Sequence, residues 1–397
     1  MRDIFSDEML SNIRILDFTR VLAGPFATRI MADCGAEVIK VQSRATATGA
    51  ESNDSGYFSY WNRNKKGITL NMNYPEARDI ILSLVAVSDV VIENASPRVM
   101  DNWNLTYEDL KTVRSDIIMI RMSGLGQTGP WRNYVAYGYT LQSLGGLTGL
   151  TSEDKSEPVG PGHAYVDHIF GMYGALAILS ALRRRERGGC GECIDVSGYE
   201  VACSLVGTAL LEAAANGTDD EHKAESGADT ALLQGCYRCQ GDNRWCALSV
   251  ENDRKWEKLC TVIGHPELAV GVRDRTNGNN TMKTTIDTCI EKWTRRLNAE
   301  DAVDTLQGIG IAASVVNNAA DLADDPHLRD RGFFTEMNHP RQGRLTMDAL
   351  PVRMDGRYMN AMAPSPALGE HNLYVFRDVL GMTHETIETY VRKGIIS

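Results

Sequence analysis

Two short apolar runs on either side of one helical stretch, all before residue 43, restrict this chain more than any other feature. IRILDF at 13–18 reads as a buried strand ending at Thr19. The turn RVLAG follows. Pro25 stands where a first helical turn tolerates it, and PFATRIMADC runs to Gly35, a residue suited to closing a helix. Glu37-Val-Ile-Lys-Val-Gln42 is then a second strand. Strand, helix and strand within about 30 residues make a βαβ unit, the building block of a parallel sheet.

The alternation continues. Ile68–Met72, Asp89–Glu93 and Asp116–Met122 read as strands, with helices at Pro75–Val87 and Tyr107–Arg114. A long apolar helix after Asp167 leads through RGGCGE into a strand at 193–197 and a further helix, Tyr199–Ala215. This pattern predicts a doubly wound α/β domain over roughly the first 200 residues. The polar stretch Gly217–Asp229 marks a boundary. Beyond it, CYRCQGDNRWCALSV reads as a hairpin turning at Gly241-Asp-Asn, with helices near Lys255–Ile263, Thr281–Asn298 and Glu300–Gly308. A smaller α+β domain is expected there. The last 70 residues hold another strand–turn–strand and a helix at Thr383–Lys393.

Bulk properties exclude several classes. No window reaches 18 uninterrupted apolar residues, and MRDIFSDEML carries acids without an apolar core, so the expectation is a cytoplasmic protein with no membrane partner. A net charge of −11 argues against nucleic acid as a partner, though a local Lys and Arg cluster can still hold an anion. Nine cysteines, an odd number, do not form a disulfide framework. Cys190-Gly-Glu-Cys193 and Cys236-Tyr-Arg-Cys239 have the ligand types of a zinc site, but they lie too far apart for a compact ribbon. Cys193 also opens an alternating strand. No metal is expected.

Asp167 is the candidate catalytic residue. It sits in the first turn of a helix packed from Ile169 to Leu182 with Phe, Met, Leu, Ile and Ala. The positive end of the helix dipole and unpaired N–H groups there favour the ionised carboxylate, a ready nucleophile. The plain alternative is a helix cap, the commoner role for Asp at this place. Of the flanking histidines, His168 points about 100° away on the helix and reads as structural. His163, in the preceding loop, is a candidate site-lining residue.

Gly124-Leu-Gly126-Gln-Thr-Gly129 matches a dinucleotide fingerprint. Pro130-Trp-Arg-Asn-Tyr interrupts the helix such a site needs, and no acid appears between Asp116 and Glu153 to hold a ribose, so a nicotinamide dehydrogenase is disfavoured. The glycines suit a mobile loop over a substrate. Arg20, Arg44, Arg63, Lys65, Lys66 and Arg98 follow strands, and together at one sheet edge they would suit a polyphosphate such as a nucleotide or coenzyme A.

In sequence, LDFTRVLAGPFATRIMADCGAEVIKVQ, NRNKKGITLNM at 62–72, VVIENASP at 90–97, SGLGQTGP at 123–130, LQSLGGLTGLT at 141–151, the Asp167 helix, DDPHLRDRGFF at 324–334 and LGEHN at 368–372 span nearly the whole chain. Taken in that order they resemble the class III coenzyme A-transferases, which include formyl-CoA, carnitine-CoA and benzylsuccinate-CoA transferases. The resemblance implies a Rossmann-type large domain begun by residues 1–216, a small α+β domain at 217–328, and a segment at 329–397 that returns to the large domain. Two chains would interlock as a homodimer, or as a heteromer with a related subunit.

The resemblance also implies coenzyme A, as acyl-CoA, for substrate. Asp167 would attack the thioester and pass through a mixed anhydride to an aspartyl-CoA thioester, which an acceptor acid reverses. Coenzyme A contacts carry over to Leu22, Ala23, Arg44, Leu70, Asn71, Met72, Asn73, Asn94, Ala95, Ser96, Asn102, Val135, Ala136, Tyr137 and Gly138. Donors to the oxyanions would come from Gly124, Gly126 and Gly129 or from backbone near Leu22 and Ala23. This chain has Asn73 where many relatives have Lys, Asn102 where an Arg is usual, with Arg98 four residues earlier, and Gly138 in place of a Glu. Related α-methylacyl-CoA racemases use a His/Asp pair where this chain reads Ala136-Tyr137-Gly138, which disfavours racemisation. Succinyl-CoA is a candidate donor. Trp131, Tyr137 and Tyr139 would suit an aromatic acceptor such as benzylsuccinate.

Overall fold

The computed structural model describes residues 9–152, 157–217, 232–269, 280–359 and 363–397; the polar stretch after Gly217 lies outside them. The chain divides into two units, Met1–Leu211 with Arg329–Ser397, and Glu212–Leu328.

The first unit is built on six strands: β1 (Arg14–Asp17), β2 (Glu37–Gln42), β3 (Lys66–Thr69), β4 (Val90–Glu93), β5 (Ile118–Ser123) and β6 (Cys193–Ser197). All pair in parallel, in the order β3-β2-β1-β4-β5-β6. The order reverses between β1 and β4, so the loops leaving their carboxyl ends diverge and open a crevice. Alternate side chains separate two cores. Leu16, Ile39, Ile68, Val91 and Met119 pack with Ala77, Ile80, Ile81 and Leu84 of α3 (Pro75–Ala86). Ile15, Val38, Ile92, Ile118 and Ile120 pack on the other face against α1 (Ala23–Asp33) and α8 (Tyr165–Glu186). Between these lie α2 (Gly56–Asn62), α4 (Arg98–Asn102), α5 (Tyr107–Val113), α6 (Gly138–Leu144) and α7 (Leu147–Thr151).

By length and composition α8 could cross a membrane. Its Val166, Phe170, Ala175, Ile178, Ala181 and Leu182 are instead buried in the unit. It meets α1 closely: a Cβ on Gly171 would lie 2.7 Å from the Ala23 carbonyl oxygen, so only glycine lets the backbones approach this far. The single helix expected over Tyr199–Ala215 is two, α9 (Gly198–Leu205) and α10 (Gly207–Asn216). Val206 leaves helical geometry ahead of Gly207, a poor helix former.

The segment after Arg329 forms a hairpin, β10 (Phe334–His339) and β11 (Gly343–Asp348), then a helix, His384–Lys393. It is tied to the first unit by buried charge. Arg63 donates to Asp33 at 2.7 Å and to Asp348 at 2.8 Å, and Asn372 and Ser397 bond Thr69. Arg63 and Lys65, expected as cations at the sheet edge, are fully buried structural partners instead. Lys66 lies on β3 with its ammonium over the Tyr374 ring. None of the three follows a strand: Arg63 and Lys65 lie between α2 and β3, and Lys66 opens β3, so they stand at the amino end of that strand rather than at a carboxyl end.

In the second unit β7 (Leu233–Arg238), β8 (Trp245–Val250) and β9 (Ala312–Val315) form an antiparallel sheet. It shares a core with α11 (Asp253–Val262), α12 (Asn280–Thr294) and α13 (Ala299–Gly308), centred on Trp256, Leu259, Ile290 and Leu306.

Candidate active site

Asp167 stands at the third position of α8, and its side chain caps nothing. The residue at the helix start, Ala164, has no side chain able to cap either. The acceptor comes from another helix: Gln142 Oε1 on α6 takes hydrogen bonds from the backbone N–H of Tyr165 at 2.8 Å and of Val166 at 3.5 Å. Gln142 is completely buried. A helix–helix cap therefore fixes the turn that carries the carboxylate.

The Asp167 carboxylate makes no hydrogen bond or ion pair with a described residue. Burial pushes its pKa up to about 6. This corrects the expectation that the helix start holds it strongly ionised, since desolvation outweighs the dipole and Gln142 occupies the nearest N–H groups. At neutral pH the group is still mostly charged, roughly nine parts in ten. Gly138, the first residue of α6, lies directly against it. Tyr57 is near enough to feel its charge, its hydroxyl pushed up to about 12 by burial and by the charges of Glu51 and Asp167.

Facing α8 is the turn between β1 and α1. Val21 takes φ 67°, a left-handed conformation costly for a β-branched residue. The turn is held on both sides. Asn94 accepts from Arg20 N at 2.7 Å and donates to Arg20 O at 2.7 Å, while Glu51 accepts from Val21 N. No described residue accepts from the backbone N–H groups of Leu22, Ala23 and Gly24, the open start of α1. Ala23 is the residue that Gly171, one turn past Asp167, packs upon.

Beneath the turn lies a buried charge group. Asp17 accepts from Thr19, from Thr28 and, at 3.1 Å, from Lys65, and Lys40 donates to Thr19 O at 2.7 Å. Burial alone would raise the Asp17 pKa, but Lys40, Lys65 and the two hydroxyls hold it down at about 2. Burial pulls Lys65 down to about 7 against the attraction of Asp17. Asp17 is therefore ionised inside the core.

An aromatic wall completes the site. Trp61 touches Phe26, Tyr57 and Tyr60 by ring edges, and His168 packs on Trp61 and Phe26 at centroid distances of 5.3 and 5.7 Å. Arg29 lies over Phe26, Tyr60 and Trp61 and is bonded to Tyr60 O and Asp348.

The other sequence candidates divide. Gly124 packs on Ala136, two residues before Gly138, so this stretch does border Asp167. The glycine loop is anchored rather than free, with Gln127 N bonded to Asp195 at 2.9 Å and Tyr199 N to Gly124 O at 2.8 Å. Gly126 and Gly129 take positive φ within it. Leu70 is buried in the core, Asn71 gives its N–H to Ile395 O, and Met72 packs on the same core, while Asn73 is exposed. The Asn94 side chain is occupied by Arg20, and Ala95 N by Glu93 at 2.8 Å. Arg44, Ser96, Arg98, Asn102, Val135 and Tyr137 are exposed. His163 joins His168 beside the wall.

Among the described residues no three His, Cys, Asp or Glu side chains group as a metal site. Cys190 and Cys193 are exposed at the start of β6, whereas in the second unit Cys236 is exposed and Cys239 buried. Gln142, Val21 and Tyr57 were missed from sequence. A polar Gln in the otherwise apolar LQSLGG run was the one available signal.

Residues 10–372 match the model of CoA-transferase family III. The chain is 30% identical over 397 residues to a succinyl-CoA–D-citramalate CoA-transferase of Chloroflexus aurantiacus, covering 98% of each. It is 30% identical to a succinyl-CoA:glutarate CoA-transferase of Mus musculus, covering 99% of this chain and 92% of that one. It spans 50% of the length of a probable CoA-transferase of Mycobacterium tuberculosis, also at 30% identity and over 97% of this chain. The crystal structure of a CAIB/BAIF family protein from Brucella suis superposes with a TM-score of 0.80 at 27% identity, over 93% of this chain and 98% of the other.

Proposed function

The chain belongs to CoA-transferase family III, and we propose that it moves coenzyme A from an acyl-CoA to a carboxylic acid through a covalent bond to Asp167. One observation carries this reading: a half-buried carboxylate with no partner among the described residues, one helical turn from a contact with the open amino end of α1. Asp167 attacks the thioester carbonyl carbon and expels the thiolate of coenzyme A, leaving a mixed anhydride. The thiolate then attacks the aspartyl carbonyl and releases the donor acid, which makes an aspartyl-CoA thioester. The acceptor carboxylate attacks that thioester in turn. Its anhydride with Asp167 is opened by the thiolate, giving the new acyl-CoA and restoring Asp167.

Each attack puts negative charge on a carbonyl oxygen. The N–H groups of Leu22, Ala23 and Gly24 are donors without other work, and the pinned, strained turn keeps them in place before charge develops. A carboxylate titrating near 6 is charged at neutral pH yet poorly solvated, the condition of an active nucleophile.

Succinyl-CoA is the proposed donor and a dicarboxylic acid the proposed acceptor, because the Chloroflexus and mouse relatives are named for such pairs. The strand order supports the Rossmann-type reading of the large domain. Met172, Tyr173, Leu176 and Leu179 leave an exposed apolar stripe on α8, which supports pairing with a second copy or a related subunit.

Incubation with succinyl-CoA and hydroxylamine, followed by mass spectrometry, is expected to find a hydroxamate at Asp167. Near-normal turnover by Asp167→Ala would refute the reading. A panel of acceptor acids that includes benzylsuccinate then ranks the substrates.

A further inference from the structure

Two imidazoles that flank Asp167 in the sequence, His163 four residues before it and His168 next to it, take no part in the transfer steps. His163 and His168 bring their Nε2 atoms to 3.3 Å, with ring centroids 4.4 Å apart. His168 Nδ1 lies 2.8 Å from Ala164 O, and a carbonyl oxygen can only accept. That nitrogen therefore carries the proton, and His168 Nε2 presents a lone pair. His163 Nε2 is then the donor within the pair. The other ring nitrogen of His163 has no partner among the described residues, and the ring is exposed.

The pair is held in place. His168 is wedged against Phe26 and Trp61, and the wall continues from Trp61 to Tyr57, whose hydroxyl feels the charge of Asp167. The nearest buried cation, Arg29, is already bonded to Asp348 and Tyr60 O. His163, backed by the lone pair of His168 Nε2, is thus the imidazole this wall can offer to an incoming anion.

We propose that the His163–His168 pair is the subsite for the free carboxylate of a dicarboxylic acid or of its CoA ester, the end not bonded to Asp167. The inference rests on the transferase reading above and names its substrate class. In that complex the His163 ring, as an imidazolium, donates from Nδ1 to the carboxylate, while the lone pair of His168 Nε2 accepts from Nε2–H on the other side of the same ring. A single positive charge is then steadied by a neutral imidazole, with no Arg or Lys required. A monocarboxylic acid leaves that donor unused.

The test compares kcat/KM for succinyl-CoA with a dicarboxylic acceptor against butyryl-CoA with a monocarboxylic acceptor, in wild type, His163→Ala and His168→Phe. Phe keeps an aromatic ring against Phe26 and Trp61. Each variant is expected to lower the dicarboxylate-to-monocarboxylate ratio by roughly ten- to a hundredfold, mainly through KM, the scale of one charge-assisted hydrogen bond. His163→Arg is expected to recover part of the ratio, which a merely structural role would not allow. A ratio within twofold of wild type, or a wild type that prefers the monocarboxylate, overturns the subsite. If hydroxylamine still traps Asp167 in that sample, the transferase reading stands alone; failed trapping in wild type overturns both.

Discussion

Gly138 lies so close to Asp167 that a Cβ built on it would sit 2.9 Å from the carboxyl carbon and nearer still to Oδ2. The missing side chain is therefore a requirement of the site as it stands, and the position of the nucleophile depends on the first residue of a different helix. Gly138→Ala is expected to swing the carboxylate out of line and lower kcat by about a hundredfold, the scale of a misplacement near 1 Å. Because the backbone there suits any residue, thermal stability should change little. Steady-state kinetics beside a melting curve checks this, and full activity in the variant would show that the carboxylate turns freely.

The pH dependence follows from Asp167. Its folded pKa of about 6 stands above the ordinary 3.8, so turnover should fall tenfold per pH unit below 6 as the nucleophile is protonated. Stability moves in the opposite sense. A raised folded value means the native state holds the proton more tightly, so this contribution is complete below about 3.8 and lost as pH rises through 6. Asp167→Asn should therefore be inactive yet more stable than wild type at pH 8, by about 1–2 kcal/mol after allowing for partial exposure, with the gap closing toward pH 4. Denaturant melts at the two pH values measure it.

Gln142→Leu leaves the N–H groups of Tyr165 and Val166 without their acceptor. The expected cost is about 1–2 kcal/mol of stability and a larger loss in kcat than in KM, because the substrate contacts remain while the turn bearing Asp167 frays. Urea unfolding together with initial rates separates the two effects. A change confined to KM would contradict the positioning role.

Lys65→Met strands the Asp17 carboxylate in the core with Lys40 and two hydroxyls. A loss of about 3–5 kcal/mol is expected. The double variant with Asp17→Asn should recover part of it, since the stranded carboxylate is gone and the buried Lys40 keeps its hydrogen bond to Thr19 O. The cycle of four proteins gives the coupling directly.

What could be read from the sequence was whatever is local. The β1–α1–β2 unit, the strand Cys193–Ser197 and the hairpin around Gly241 all rest on periodicity and turn residues close together in the chain, and each forms near its expected place. Asp167 was legible for the same reason, as a charge opening an apolar helix. Arg63 and Lys65 were misread because their partners Asp348 and Asp17 lie far away in the chain. The acidity of Asp167 was misjudged because the helix start is a local effect, whereas burial and the cap from Gln142 are supplied by the fold. The glycine loop looked free for want of any sign that Asp195 would hold it.

The hairpin carrying Asp348 also governs when this molecule can be finished. On a ribosome the six-strand sheet has emerged long before residue 348, and until then the guanidinium of Arg63 has only Asp33 for company in its pocket. The second unit, Glu212–Leu328, is meanwhile one contiguous stretch made before that hairpin. The stretch that forms the second unit is therefore made before Asp348, so a nascent chain carries its reactive carboxylate before the link from Arg29 and Arg63 to Asp348 can form.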